Sequence, residues 1–137
     1  MPGTTLRRRR GDRAEAVAAT YLARRGWHVL ARNVRAGRDE LDLLALDPGP
    51  PAALVAVEVR SRSTRRYGLP EDGVDRAKIR RCYRAVSALR HVGSLPDGQR
   101  LPWLPWRVDL LAIDLDPRLG DSAGGPRVRH LRAVEPP

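Results

Sequence analysis

Two spacings of apolar residues take turns along the chain, and each change of spacing marks a predicted element. Val17, Ala18, Tyr21 and Leu22 recur at helical spacing behind Asp12, with Glu15 three residues after it. That is the arrangement of a capping box, so a first helix is predicted over 12–25, closed by Gly26. Trp27, Val29 and Ala31 then alternate with other residues and predict a strand over 27–33 with all three on one side, followed by a basic loop through Gly37. From Glu40 to Leu46 the alternation resumes, with Leu41, Leu43 and Ala45 on one face and Glu40, Asp42, Leu44 and Leu46 on the other. From Ala53 to Ser61, Val55, Val57 and Val59 lie opposite Leu54, Ala56, Glu58 and Arg60. The break Asp47-Pro48-Gly49-Pro50-Pro51 reads as a loop, because proline removes ladder donors and fixes φ. A second helix is predicted over 75–91, burying Ile79, Cys82, Tyr83, Val86 and Leu89. Trp106 to Asp114 is a further strand, and Arg127 to Val134 a final edge strand.

Helix, three strands, helix, one or two strands is the order of an α/β domain of the α+β kind. Its two helices are expected to flank a central mixed sheet in three layers. The domain is expected over 11–134, behind a basic tail of residues 1–10 whose run Arg7 to Arg10 reads as solvated.

The two acidic runs carry the candidate chemistry. If they pair as an antiparallel hairpin centred on Pro50, Leu46 faces Leu54 and Asp42 faces Glu58, with Arg60 two residues further along the same face. Buried acids cost several kcal/mol per ion unless compensated, roughly as for any desolvated charge, and neighbouring carboxylates raise each other's pKa. A solvated hairpin, or one whose acids pair with arginine, is the ordinary outcome. Here Glu58 lies inside LVAVEV, a run that otherwise reads as buried, which favours a compensating cation. Mg²⁺ takes one or two carboxylates together with water and phosphate oxygens, so the pair reads as a phosphodiester site. Glu15, on spacing alone, is a cap and helix-dipole partner. His28 stands alone on its strand with no second ligand at metal spacing. Asp109 reads as the partner of an arginine.

Charge widens this picture. The 26 basic residues outnumber 16 acidic ones, for a net charge of +10, which points to a polyanionic partner. Lys78 is the single lysine, a bias that reflects coding composition as well as function. Arg62, Arg65, Arg66 and Tyr67 follow the strand that bears Glu58, an arrangement suited to a nucleic-acid backbone or simply to a solvated loop. On the second helix Arg76, Lys78, Arg80, Arg81 and Arg84 lack acids at four-residue spacing, so that face reads as phosphate-facing, with a protein contact as the alternative. One cysteine, Cys82, allows no intramolecular disulfide or zinc cluster. No apolar run reaches membrane length and the N-terminus lacks a signal-peptide core, so a cytoplasmic location without membrane contact is expected.

The blocks AEAVAATYL, GWHVLARN, DELDLLALD, VAVEVRSRS, YGLPEDGVDRAKIRR and WRVDLLAID occur in the order found in the uncharacterised YraN-like family, which this chain resembles from about Gly11 to Val134. The resemblance implies a restriction-endonuclease-like fold similar to archaeal Holliday junction resolvases. It implies a metal-dependent nuclease site in which Glu15 matches the helix acid, Asp42 the aspartate, Glu58 the glutamate, and Arg60 the position where lysine is usual. Ala14 and Asp39 stand where glycine is usual. By this resemblance Asp42 and Glu58 hold Mg²⁺ or Mn²⁺, Glu15 a water beside it, and Arg60 the scissile phosphate. Arg62, Arg65, Arg66, Lys78, Arg80, Arg81 and Arg84 are then candidates to grip DNA, with Lys78 also a candidate to substitute for the missing lysine. A homodimer is compatible with this reading, since the resolvases act on a two-fold junction. The guanidinium of Arg60 differs from an ammonium in shape and reach and stays charged. A non-catalytic nucleic-acid-binding protein on the same fold is therefore the alternative, and a basic protein-interaction scaffold the third reading.

Overall fold

The computed structural model describes residues 6–64, 66, 68–73, 76–116 and 125–136, with backbone alone for 6–10, 71 and 73. Its elements are α1 (Leu6–Arg24), β1 (His28–Ala36), β2 (Asp39–Asp47), β3 (Ala53–Arg62), a 3₁₀ turn (Pro70–Gly73), α2 (Arg76–Val92), β4 (Trp106–Asp114) and β5 (Arg127–Leu131). The strands form one sheet in the order β1-β2-β3-β4-β5, antiparallel except for the β3–β4 pair. A parallel pair requires a crossover, and α2 supplies it. Among the described residues no helix is long and apolar enough to cross a membrane.

The sheet separates two cores. On one side Ala14, Ala18 and Leu22 of α1 pack with Leu43, Ala45, Val55, Val57, Leu111 and Ile113. On the other, Cys82, Ala85, Val86 and Leu89 of α2 pack with Leu44, Ala56 and Val108. The expected mixed sheet flanked by two helices is therefore present.

Four departures from the predicted pattern have physical causes. Helix α1 starts at Leu6, so Arg7 to Arg10 belong to it and Asp12 lies in its interior instead of capping it. Arginine is a good helix former, and a run of it does not interrupt a helix. Strand β1 runs on to Ala36 and turns through Gly37 and Arg38, Ala36 pairing with Asp39; Gly37, at φ 62°, supplies the left-handed position of a two-residue hairpin turn. A register shift between Val29 and Ala31 sends Val29 to the α1 side and Ala31 to the α2 side, so they do not share a face. Strand β5 stops at Leu131, because the chain bends at Ala133 (φ 52°) to bring its N–H to Asp109.

Candidate functional site

The β2–β3 hairpin has the register its sequence requires. Leu46 faces Leu54, Leu44 faces Ala56 and Leu43 faces Val57, which puts Asp42 and Glu58 next along the two strands. At that point the regular ladder ends. The Val59 N–H donates to Asp42 Oδ2 at 2.8 Å, a donor that a continued ladder would have given to a main-chain carbonyl. Facing changes here as well. Leu41 and Leu44, three residues apart, both pack on the α2 side, whereas Leu43 and Ala45 pack on the α1 side. Strict alternation through Glu40–Leu46 is thus broken once, around Asp42, where β2 leaves β3 and continues against β1 alone.

Glu58 is 2% exposed, enclosed by β3, β4 and α2. Two cations reach the same carboxylate oxygen: Lys78 Nζ lies 3.4 Å and Arg60 Nε 3.7 Å from Oε1. The Cys82 thiol points at Oε2 from 3.8 Å. Burial nonetheless dominates. It pushes the Glu58 carboxyl up to about 8, helped by the charge of Asp42 and by a hydrogen bond with it, and the cations do not reverse this. The same burial, followed by the charges of Glu58 and Asp42, raises the Cys82 thiol to about 12, so it stays neutral.

Glu15 approaches from the other layer. Its carboxyl is raised by burial and by the negative charges of Asp42, Asp12 and Glu40, and Asn33 Nδ2 donates to its Oε2 at 3.2 Å, a bond acting in the opposite sense. Asn33 can reach because it sits at φ 50° within β1, a left-handed conformation that asparagine tolerates better than most residues. Asp42, where β2 and β3 part, thus acts on both Glu15 of α1 and Glu58 of β3, while Arg60 of the same strand and Lys78 of α2 lie at Glu58. The adjoining cleft is lined by Lys78, Arg81 and Cys82 of α2, by Arg38 of the β1–β2 turn and by Asp39 and Glu40 of β2.

The remaining candidates are dispersed. Arg80 and Arg81 are exposed on α2. Arg84 is held by Asp39 in a two-pronged ion pair of 2.7 and 2.8 Å, and its hydrogen bonds keep that carboxyl below the usual range. Arg62 ends β3 in register with Asp114, and Arg66 is exposed, its N–H bonded to the Thr64 hydroxyl. Arg65, Tyr67 and Asp75 lie outside the described residues. His28 is exposed. Asp109 does pair with arginine, taking Arg107 Nε at 2.9 Å. Reading the sequence alone overlooked Asn33, whose one signal is an asparagine inside a strand run, and the Asp39–Arg84 pair, which no local spacing reveals.

The model of the uncharacterised protein family UPF0102 matches residues 14–113, a span that includes Glu15, Asp42, Glu58, Arg60 and Lys78. The chain belongs to the UPF0102 family. A UPF0102 protein of Arthrobacter sp. (strain FB24) is 40% identical over 124 residues, covering 90% of this chain and 93% of its own. A UPF0102 protein of Symbiobacterium thermophilum is 40% identical over 113 residues, covering 82% and 87%. One of Halorhodospira halophila is 42% identical over 105 residues, covering 71% and 84%. The match of the UPF0102 model ends at residue 113, so β5 lies beyond it.

Proposed function

We propose that this UPF0102 protein is a metal-dependent endonuclease that hydrolyses phosphodiester bonds in DNA, with branched or otherwise structured DNA as its substrate. The observation that carries the reading is Glu58: a carboxylate 2% exposed, beside a second carboxylate, with two cations at one of its oxygens. A fold retains such a group at a cost in stability, and a site is a common reason for it. The resemblance to restriction-endonuclease-like proteins and archaeal Holliday junction resolvases supports the same reading, because, of the acids it matches, Asp42 acts electrostatically on both Glu15 and Glu58.

The donor set suits a hard divalent cation. Asp42 and Glu58 offer carboxylate oxygens, and they would hold Mg²⁺ or Mn²⁺. Among the described residues no group of three or more His, Cys, Asp or Glu is gathered closely enough to enclose an ion, so water and substrate oxygens would complete its shell. When bound, the cation would supply Lewis acidity at the phosphate. Glu15, bonded by Asn33, would orient a water. Lys78 and Arg60 would stabilise negative charge on the phosphate oxygens. Arg80 and Arg81 would hold the flanking backbone.

Purified protein incubated with branched and linear DNA plus Mg²⁺ or Mn²⁺ is expected to cleave, to stop on chelation, and to lose cleavage in Glu58→Ala. Equal product from Glu58→Ala and wild type removes the proposal. Arg60 in place of lysine favours one second reading, a nucleic-acid-binding protein without turnover. It predicts binding that weakens steeply with salt and no product.

The two cations are expected to contribute unequally. A single removed transition-state donor typically costs about 10²-fold or more in rate. Lys78, the more compact ammonium and the nearer to Glu58, is expected to show a loss of that order in Lys78→Met, with Arg60→Gln losing less and Arg60→Lys gaining. Single-turnover cleavage rates measure this, and an unchanged rate in Lys78→Met would exclude the assignment.

A further inference from the structure

At the far end of α2 from Glu58 lies a cavity of about 320 Å³ whose walls include Leu89, Leu101 and Trp106, with Arg90 and His91 at its edge and no acidic residue in its lining. Trp103 stands on its rim, 95% exposed. A tryptophan so fully presented to water gives up its burial energy and offers an open π-face. The surrounding charge is positive: Arg90 at the cavity and Arg80 and Arg81 nearer the acidic cluster are exposed on α2, without an ion-pair partner among the described residues.

We infer that Trp103 and its cavity are a stacking platform for an unpaired nucleobase of a nucleic-acid strand whose backbone runs along α2 to the acidic cluster. The occupant follows from complementarity, since an aromatic plane beside the Arg90 guanidinium, on a helix that also carries Arg80 and Arg81, matches a base carried on phosphates, and stacking accepts any base because each has a π-face. Two rulers set the separation. From Lys78 to Leu89 a helix rises roughly 17 Å at 1.5 Å per residue. In the sheet, Trp106 is level with Leu54 and Leu110 with Glu58, a climb of roughly 13 Å at 3.3 Å per residue. At about 3.4 Å per nucleotide along a duplex strand, the stacked base would lie roughly four or five nucleotides from the acidic cluster. The inference rests on the proposed nucleic-acid substrate and narrows it to DNA with a single-stranded arm near the cut.

Fluorescence anisotropy in EDTA tests it, with a labelled 20-base-pair duplex and the same duplex carrying an unpaired arm as probes. Wild type is expected to bind the armed probe about tenfold more tightly or better. Trp103→Ala is expected to lose that preference while binding the plain duplex as wild type does, and Trp103→Phe to keep part of it. Because Trp103 is exposed, both variants are expected to unfold at the wild-type temperature, which checks that the site alone has changed. Equal binding of the two probes by wild type overturns the inference, as does a preference unaffected by Trp103→Ala. So does a dimer in sedimentation that Trp103→Ala dissociates, which would make the platform a contact between copies. Failure of wild type to bind either probe would overturn both this inference and the endonuclease reading, whereas loss of the arm preference alone leaves the latter standing.

Discussion

Glu58→Gln is expected to make the metal-free protein more stable at pH 8.5, by an amount on the order of a few kcal/mol, while abolishing divalent-metal binding and DNA cleavage. The sign follows from the raised carboxyl. With its folded pKa moved from 4.5 to about 8, Glu58 stays protonated in the native state over a range where the unfolded chain has already ionised. Its stabilising contribution is complete below pH 4.5 and is lost as pH rises to about 8. Glutamine imitates the protonated form at every pH, so the variant escapes that loss. Urea unfolding in EDTA at pH 5 and pH 8.5 should show wild type weakening and the variant level between the two. Cys82, raised from 9 to about 12, contributes a similar loss only above pH 9 and is present in both proteins, so it drops out of the comparison. A wild type whose stability is flat across this interval would refute the assignment. A cation must displace the Glu58 proton, so Mn²⁺ affinity is expected to rise with pH towards 8 and to release a proton, measurable by calorimetry in buffers of different ionisation heat.

The largest loss of stability is expected from a different buried acid. Asp109, with 0% of its surface exposed, accepts Arg107 Nε at 2.9 Å and the Ala133 N–H at 2.9 Å, and contacts His130 Nε2 at 2.8 Å. Arg107 also donates to Asp47 at 2.7 Å, and Tyr21 reaches His130 at 3.3 Å. Burial alone would raise the Asp109 carboxyl; the hydrogen bonds from His130, Arg107 and Ala133 outweigh it and hold it low. Removing Asp109 takes the acceptor from Arg107 Nε and from the Ala133 N–H, at a cost of about 3–5 kcal/mol for a broken buried ion pair. Asp109→Ala is therefore expected to lower Tm by about 10 °C or more. Because the native carboxyl is held low, wild type keeps this contribution above pH 3.8 and loses it as pH falls through the folded value. A Tm within two or three degrees of wild type, to use a rough margin on the same scale, would show that the network is dispensable.

What the sequence disclosed was whatever depends on near neighbours. The limits of β4 and the pairing of Leu46 with Leu54 could be read directly, since alternation and a proline-rich loop are local signals. The convergence of Asp42 and Glu58 followed from that register. Lys78 reaches Glu58 only through the crossover of α2 over the sheet, and Arg84 reaches Asp39 across 45 residues, so neither contact leaves a trace in spacing. The start of α1 was misplaced because Asp12 and Glu15 have cap spacing whether or not the helix begins there. The side of the sheet taken by Ala31 depended on a single extra residue in β1, and one such residue reverses all facing beyond it.

The parting of β2 from β3 beyond Leu43 and Val57 makes the hairpin a two-tined fork, closed at its proline-rich end and open where the acids stand. The helices of Glu15 and Lys78 lie on opposite sides of the sheet; the fork leaves Asp42 within electrostatic reach of both Glu15 and Glu58. Lengthening the closed end should leave the tines aligned, because five residue pairs fix their registration. Deleting a single residue between Asp42 and Leu46 should instead carry the aspartate out of the opening, so the span between handle and tips is the length this architecture has to keep.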